Sequence, residues 1–259
     1  MQFVVRKGTH LSVERISLVN AGRVFSGKWA LRGIEATLKP GQVYAVLGAN
    51  GAGKSTLLRL MAGWLPLSEG RILFDQSPMR PTATHLRRKV MLLEEHTVSR
   101  NGARSKPTET LCSTINDYQA DRPNLEQDIA DWYERLEVTS VYNKDERSMS
   151  KGQAYKIKLI GLFVVAPPVW LLDEPFSAGL DADGLKVLEE QMLAHARRGG
   201  IVAFTSQWPE HARRLANWTV VLDDGRLAWC APPQEAPSKE ARANGASSLE
   251  AVLQGLGPQ

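Results

Sequence analysis

Hydrophobic and polar positions repeat with two different periods along the chain. Short apolar runs rich in β-branched residues predict buried strands, and apolar positions three to four residues apart predict helices. Strands are predicted at residues 11–19, 29–38, 42–47, 70–74, 89–93, 164–172, 201–205, 219–223 and 225–229. Helices are predicted at residues 55–65, 108–118, 124–136, 183–197 and 249–256. This alternation of strands and helices favours an α/β fold with a mostly parallel sheet covered by helices.

The pattern changes in the middle of the chain. A polar loop and two helical patterns, the second rich in acidic residues, separate the predicted strands at 89–93 and 164–172. We therefore predict a helical insertion at 96–154 within one core formed by residues 11–95 and 155–235. From Ala231 the chain is rich in Pro, Ala and Ser, and residues 236–259 form a predicted C-terminal tail.

A glycine-rich loop directly follows the predicted strand at 42–47. It reads Gly48-Ala49-Asn50-Gly51-Ala52-Gly53-Lys54-Ser55 and matches the phosphate-loop pattern G-x-x-x-x-G-K-S/T. Glycines let successive backbone N–H groups turn toward phosphate oxygens, and the following helix adds its positive end. In this pattern the lysine reaches the β- and γ-phosphates, and the hydroxyl of Ser55 binds Mg²⁺. The predicted nucleotide-binding residues of the loop are Gly48, Asn50, Gly51, Ala52, Gly53, Lys54, Ser55 and Thr56.

Two adjacent acids, Asp173 and Glu174, end a second apolar strand pattern. In open α/β sheets ligands bind at the carboxyl ends of the strands, so the pair is expected beside the phosphate loop. Asp173 is the predicted partner of Ser55 in holding Mg²⁺. Glu174 is the predicted catalytic residue that polarises the attacking water.

Composition and charge argue against several other functions. The net charge of +4 is too small and too dispersed to indicate a nucleic-acid partner, and the densest basic region, residues 87–106, contains no aromatic residue for base stacking. The longest apolar stretch, residues 160–172, is shorter than the ~20 residues of a membrane span and contains two prolines. Cys112 and Cys230 are far apart and are expected to be structural thiols.

A third motif indicates which family of nucleotide-binding proteins the chain resembles. Ser148-Met149-Ser150-Lys151-Gly152-Gln153 resembles the ABC signature, usually LSGGQ, and the segment from Ser177 to Asp181 resembles the D-loop of the same family. With these motifs the chain resembles the nucleotide-binding subunit of an ABC transporter from about Leu11 to Leu256. The resemblance implies a P-loop core, an antiparallel β subdomain on the N-terminal side and an inserted helical subdomain. It also implies that Ser150, Lys151, Gly152 and Gln153 face the ATP bound to a partner subunit, and that Asp181 is the aspartate of the D-loop.

The resemblance further implies ATP and Mg²⁺ as ligands, a second identical or different ABC subunit, and a membrane permease that docks near residues 93–106. The subunit would then be peripheral, on the cytoplasmic face of the inner or plasma membrane. Ser248-Leu249-Glu250 and Lys151 resemble export-type subunits. Phe25 occupies the place of the aromatic residue that stacks on adenine; Trp29 is the alternative, and either could belong to the core.

Two residues depart from the family pattern. Glu95, or Glu94 if the register shifts, stands where a Mg²⁺-contacting glutamine is usual, and Gln207 replaces a histidine that contacts the γ-phosphate. Gln207 can donate a hydrogen bond but cannot carry a charge. Loss of one such donor typically lowers a rate by ~10²–10³. We therefore expect ATP to bind well and turn over slowly, the alternative being that both changes are neutral.

The nearby His211 is expected on the surface. Two other functions stay open: a soluble ABC ATPase of translation or DNA maintenance, and a regulatory module with little hydrolysis. The first is less favoured, because the chain has one phosphate loop and no sustained heptad pattern.

Overall fold

Two sheets organise the computed structural model, which describes residues 12–94, 107–118, 124–142, 144 and 148–232. The first sheet is antiparallel and contains β1 (Ile16–Phe25), β2 (Lys28–Leu38), β4 (Glu69–Phe74) and the two-residue β5 (Ser77–Pro78). Its strand order is β2-β1-β4-β5. This sheet is the antiparallel subdomain that the sequence predicted on the N-terminal side.

The second sheet is mostly parallel. It contains β3 (Gln42–Leu47), β6 (Val90–Glu94), β7 (Val169–Asp173), β8 (Ile201–Ser206), β9 (Trp218–Asp223) and β10 (Arg226–Ala231). Its order is β10-β9-β3-β8-β7-β6, and only β10 is paired antiparallel, with β9. The α/β fold class predicted from the sequence is confirmed.

Seven α-helices accompany the sheets in the described residues: α1 (Lys54–Met61), α2 (Thr84–Arg87), α3 (Pro107–Asp117), α4 (Leu125–Arg135), α5 (Lys151–Val165), α6 (Ala182–Arg197) and α7 (Pro209–Leu215). Helices α3 and α4 lie between β6 and α5, in the stretch assigned to the helical insertion. The boundaries of that insertion at 96–154 stay a prediction. No helix in the described ranges has the length and apolarity that crossing a bilayer requires.

The parallel sheet separates two apolar cores. Side chains alternate along β3, so Tyr44 and Val46 face the core that includes Leu58 of α1. Val43, Ala45 and Leu47 face the opposite core, which contains the buried side of α5. The phosphate loop and the signature helix therefore belong to opposite faces of one sheet.

The structure corrects one predicted strand. Residues 164–172 were expected to be extended throughout, but α5 continues to Val165 and ends at Ala166, whose φ of 46° is left-handed. Strand β7 begins only at Val169, after two prolines. The error arose because a helix buried on nearly all sides and a buried strand both give a continuous apolar run.

The first strand is also displaced from its predicted range. The sequence predicted residues 11–19, but β1 runs from Ile16 to Phe25 and shifts register between Leu18 and Ala21, where Asn20 has a φ of 47°. A bulge of this kind breaks the period-two pattern and hides the second half of a strand. The predicted helix at 249–256 and the tail at 236–259 lie outside the described residues.

Candidate nucleotide site

The phosphate loop connects β3 to α1 through three glycines with positive φ. The angles are 150° at Gly48, 85° at Gly51 and 100° at Gly53. A Cβ at Gly48 would lie 2.4 Å from the carbonyl oxygen of Leu222, and one at Gly53 would lie 2.6 Å from that of Ala30. Side chains are thus excluded at both ends of the loop, and its backbone is held against β2 and β9. Asn50 is exposed and Ala52 is buried beneath the loop.

Lys54 is the first residue of α1, and only 6% of it is exposed. Its Nζ donates hydrogen bonds to the carbonyl oxygens of Gly48, at 2.9 Å, and Ala49, at 3.1 Å. The ammonium group therefore lies inside the loop. Ser55 and Thr56 follow on the first turn of the helix and are half-buried.

The acid pair lies across from this lysine, at the end of β7. Thr205, on the neighbouring strand β8, donates its hydroxyl to Asp173 Oδ1 at 2.7 Å and accepts the backbone N–H of Glu174, also at 2.7 Å. One buried hydroxyl thus fixes both the Asp173 carboxylate and the backbone of Glu174. Sequence reasoning missed Thr205, although a polar residue near the end of an otherwise apolar strand is a usable signal.

Glu174 has an unusual environment. Its φ of 47° is left-handed, and its Oε1 lies 3.6 Å from Lys54 Nζ, an ion pair too long to be a hydrogen bond. Burial raises the pKa of the Glu174 carboxyl, the nearby Lys54 opposes that increase, and the Asp173 charge adds to it. The Gln207 side chain also acts to lower the pKa of this carboxyl. The pKa of Glu174 is raised overall, so desolvation outweighs the interactions that favour the charged carboxylate.

His211 lies on α7 and is partly exposed at the surface. Its ring is half-buried, with Nδ1 2.9 Å from the hydroxyl of Ser206 and the ring centroid 4.0 Å from that of Phe176. Burial lowers the pKa of the His211 ring. Its two partners come from β8 and from the loop after the acid pair, and local sequence does not reveal such contacts.

The signature segment begins α5 with a capping box. Ser150 Oγ accepts the N–H of Gln153, and Gln153 Oε1 accepts the N–H of Ser150. Gly152 lies against the predicted D-loop, because a Cβ there would be 2.1 Å from the carbonyl oxygen of Gly179. Lys151 is exposed at the first position of the helix.

A buried lysine joins this helix to the D-loop. Lys156 Nζ lies 2.7 Å from Asp181 Oδ2, while Asp181 Oδ1 caps α6 by accepting the N–H of Gly184. The hydrogen bond from Lys156 is the main cause that lowers the pKa of the Asp181 carboxyl. A cavity of about 180 Å³ lies between the two segments. Sequence reasoning missed Lys156, because nothing in the local sequence distinguishes it from a lysine exposed to solvent.

The close contact at Gly152 gives a test of this packing. We expect Gly152→Ala to lower the free energy of unfolding by about 1–3 kcal/mol, because the added methyl group cannot fit against the Gly179 carbonyl. Gly161→Ala in the same helix is the matched control. A Cβ at Gly161 would lie 3.4 Å from its nearest neighbour, which is ordinary contact. Replacing this helical glycine with alanine should therefore stabilise the fold by about 0.5–1 kcal/mol. Chemical denaturation of both variants measures the difference, and equal shifts would contradict the packing argument.

Neither aromatic candidate for adenine stacking lies in the core. Phe25 is 41% exposed and Trp29 is 39% exposed, at opposite ends of the β1–β2 turn. The guanidinium of Arg23 lies 4.8 Å from the Phe25 ring centroid, and that of Arg32 lies 5.1 Å from the Trp29 ring. The core alternative is therefore wrong for both rings, and stacking on adenine stays a prediction for Phe25.

The end of β6 is where a glutamate was predicted in place of the glutamine usual in the family. Glu95, the predicted ligand of Mg²⁺, lies outside the described residues. Glu94 is the last residue of β6, aligned with Asp173, and its carboxylate forms an ion pair with Arg59 of α1. Its carbonyl oxygen accepts a hydrogen bond from Lys158 of α5 at 3.0 Å.

Comparison with known proteins decides the family. The ABC transporter family model matches residues 31–177. The chain belongs to the ABC transporter family. This ABC domain is 28% identical over 213 residues to the uncharacterized ABC transporter ATP-binding protein YhaQ of Bacillus subtilis, covering 82% of this chain and 69% of that protein. It is 30% identical over 194 residues to the cytochrome c biogenesis ATP-binding export protein CcmA of Pseudomonas fluorescens, covering 72% and 89% respectively.

Solved structures agree with this ABC fold. An ATP-binding subunit of an ABC transporter superposes with a TM-score of 0.81 at 20% identity, covering 93% of this chain and 98% of that one. A dimeric ATP-binding cassette solved in a post-hydrolysis state with ADP and Pi superposes with a TM-score of 0.73 at 20% identity, covering 85% and 99%. At these identities the likenesses show the fold.

Proposed function

We propose that this ABC domain binds and hydrolyses ATP, pairs with a second ABC subunit around ATP, and powers translocation by a separate membrane permease. The observation that carries the proposal is that the phosphate loop and the capped signature helix belong to opposite faces of one sheet. We assign these two features as complementary halves of an ATP site. One half is the phosphate loop with Lys54, Asp173 and Glu174, and the other is the helix capped by Ser150. A second subunit, turned head to tail, brings the two halves together.

The residues of the loop fit a nucleotide with Mg²⁺. The loop excludes side chains at Gly48 and Gly53, and Glu174 Oε1 is a buried oxygen that accepts no hydrogen bond from the described residues. Ser55 and Asp173 would hold Mg²⁺, which supplies charge neutralisation at the phosphates. Two protein ligands suffice, because Mg²⁺ usually keeps several waters and binds substrate phosphates.

Each side chain of the proposed site then has a distinct role. Lys54 exchanges its bonds to two loop carbonyls for phosphate oxygens and supplies a fixed positive charge. Thr205 holds Asp173 and the backbone of Glu174 in a fixed relation. Glu174 orients the attacking water and accepts its proton, which requires the carboxylate form. Gln207 donates its amide toward Glu174 and the γ-phosphate, but it carries no charge.

Slow turnover follows from the neutral amide at position 207. We expect Gln207→His to raise kcat for ATP hydrolysis at least tenfold, because it restores a donor that can become positively charged beside the developing phosphate charge. Gln207→Ala is the comparison variant and should be slower than the natural protein. Steady-state phosphate release measures all three. Equal rates for the natural protein and the Gln207→His variant would show that glutamine at this position is neutral.

Partners and location belong to the same proposal. We infer a peripheral protein on the cytoplasmic face of the membrane, because the family couples ATP domains to permeases. The CcmA relatives are named export proteins, which supports export as the direction. Affinity purification from detergent-solubilised membranes of the native host tests this. A co-purifying polytopic membrane protein is expected, and recovery only from the soluble fraction would contradict the transport role while leaving ATP binding intact.

A regulatory ATP-binding module with negligible hydrolysis is the second candidate, and Gln207 is the observation that favours it. A single-turnover experiment separates the two functions. Hydrolysis of bound ATP at any measurable rate above the uncatalysed reaction supports the transport motor.

A further inference from the structure

Trp208 is the most exposed large hydrophobic side chain in the described residues. It is 61% exposed, compared with 47% for Tyr142 and 41% for Phe25. Phe25 carries a guanidinium over its ring, and Tyr142 packs edge-on against Tyr133 with centroids 5.2 Å apart. In the part of the chain that the structure describes, no ring or guanidinium stacks on Trp208.

The backbone of Trp208 is fixed despite this exposure. Its N–H donates a hydrogen bond to Ser206 Oγ at 3.0 Å, and Pro209 begins α7 immediately afterwards. The same Ser206 hydroxyl contacts His211, whose ring packs on Phe176. The exposure of Trp208 is therefore imposed by an ordered turn.

The position of Trp208 matters more than its exposure, since single exposed apolar residues are common. It follows Gln207 directly at the carboxyl end of β8, the sheet edge that also carries Asp173 and the phosphate loop. Trp218, 36% exposed, begins β9 opposite Tyr44 and lies at the other edge of the same sheet. The two tryptophans therefore lie at opposite ends of the parallel strands, and Trp208 is the more exposed of the two.

We propose that Trp208 is a contact residue for a second copy of this chain. The inference rests on the proposed function, in which the carboxyl edge of one subunit meets the signature helix of the other. A second copy is the occupant because this chain contains both halves of the site and needs no different partner to complete it. In a two-fold dimer each interface contact occurs twice, so Trp208 contributes from both copies. Buried tryptophans are among the residues that most often dominate such interfaces.

Sedimentation equilibrium with ATP and Mg²⁺ tests the contact. Glu174→Gln is the parent protein, because slowed hydrolysis keeps ATP bound during the measurement. Adding Trp208→Ala should raise the dissociation constant of the dimer at least ~30-fold, the effect of losing an interface hot spot. Trp218→Ala, the matched control, should stay within about twofold of the parent. Trp208→Phe keeps a ring and should fall between the two.

Folding and nucleotide binding are monitored separately. The Trp208 variants should bind a fluorescent ATP analogue and melt like the parent, because Trp208 is mostly exposed in the single chain. An unchanged dimer constant for Trp208→Ala would overturn the contact alone and leave the proposed function standing. A parent that binds nucleotide but remains monomeric would overturn the pairing itself. Loss of permease co-purification with an unchanged dimer would assign Trp208 to the membrane partner and refute the proposal.

Discussion

Replacing Lys54 with Ala is expected to weaken ATP binding at least ~100-fold. The buried ammonium is the only charged side chain that the phosphate loop itself supplies, and it already bonds two carbonyls of that loop. Removing one partner of a buried charge pair typically costs about 2–5 kcal/mol, and about 2.7 kcal/mol corresponds to a hundredfold change. Equilibrium titration with a fluorescent ATP analogue measures the loss.

Lys39→Ala is the matched control for this loss of charge. Lys39 is exposed in the turn before β3, at the opposite end of the strand from the phosphate loop. It should bind the analogue like the natural protein. Comparable weakening in both variants would mean that overall charge, rather than the position of Lys54, governs binding.

Glu174→Gln should slow ATP hydrolysis by about 10²–10⁴ while ATP still binds. The amide preserves the shape of the side chain but cannot accept the proton of the attacking water, and general bases contribute rate factors of that size. Rapid-quench measurement of a single turnover separates this step from product release. A rate within tenfold of the natural protein would assign the proton to another group.

The same variant should be more stable than the natural protein at neutral pH. The pKa of Glu174 is raised by burial, so the folded protein binds this proton more tightly than the unfolded chain does. Stability from this group is present below the ordinary glutamate pKa and is lost as the pH rises through the raised folded value. The melting temperature of Glu174→Gln should therefore exceed that of the natural protein at pH 7, with the gap closing near pH 4. A gap that does not change with pH would contradict this origin.

The region from β3 to α1 was predicted closely from sequence because strong local signals bound it. Strand β3 occupies the predicted residues 42–47, between the turn at Pro40-Gly41 and the glycine loop. Glycine and proline set these boundaries through backbone sterics, which act within a few residues. No equivalent signal marks the end of α5, where an apolar helix leads into an apolar strand through Ala166.

The residues of the candidate site also fall into those that local sequence reveals and those that it does not. The phosphate loop and the acid pair are contiguous motifs, so their residue types could be recognised directly. The roles of Thr205 and Lys156 and the packing of His211 on Phe176 depend on contacts between residues 25 or more positions apart. Such contacts follow from the packing of strands and helices, and a single sequence does not specify them.

The separation of the phosphate loop and the signature helix onto opposite faces of one sheet has a genetic consequence. In the proposed two-copy assembly each ATP site would take its phosphate loop from one copy and its signature helix from the other. A copy damaged at Lys54 and a copy damaged at Gly152 would then form a mixed dimer with both lesions in one site and none in the other. Two inactive alleles could thus complement each other, whereas two alleles damaged in the same half could not.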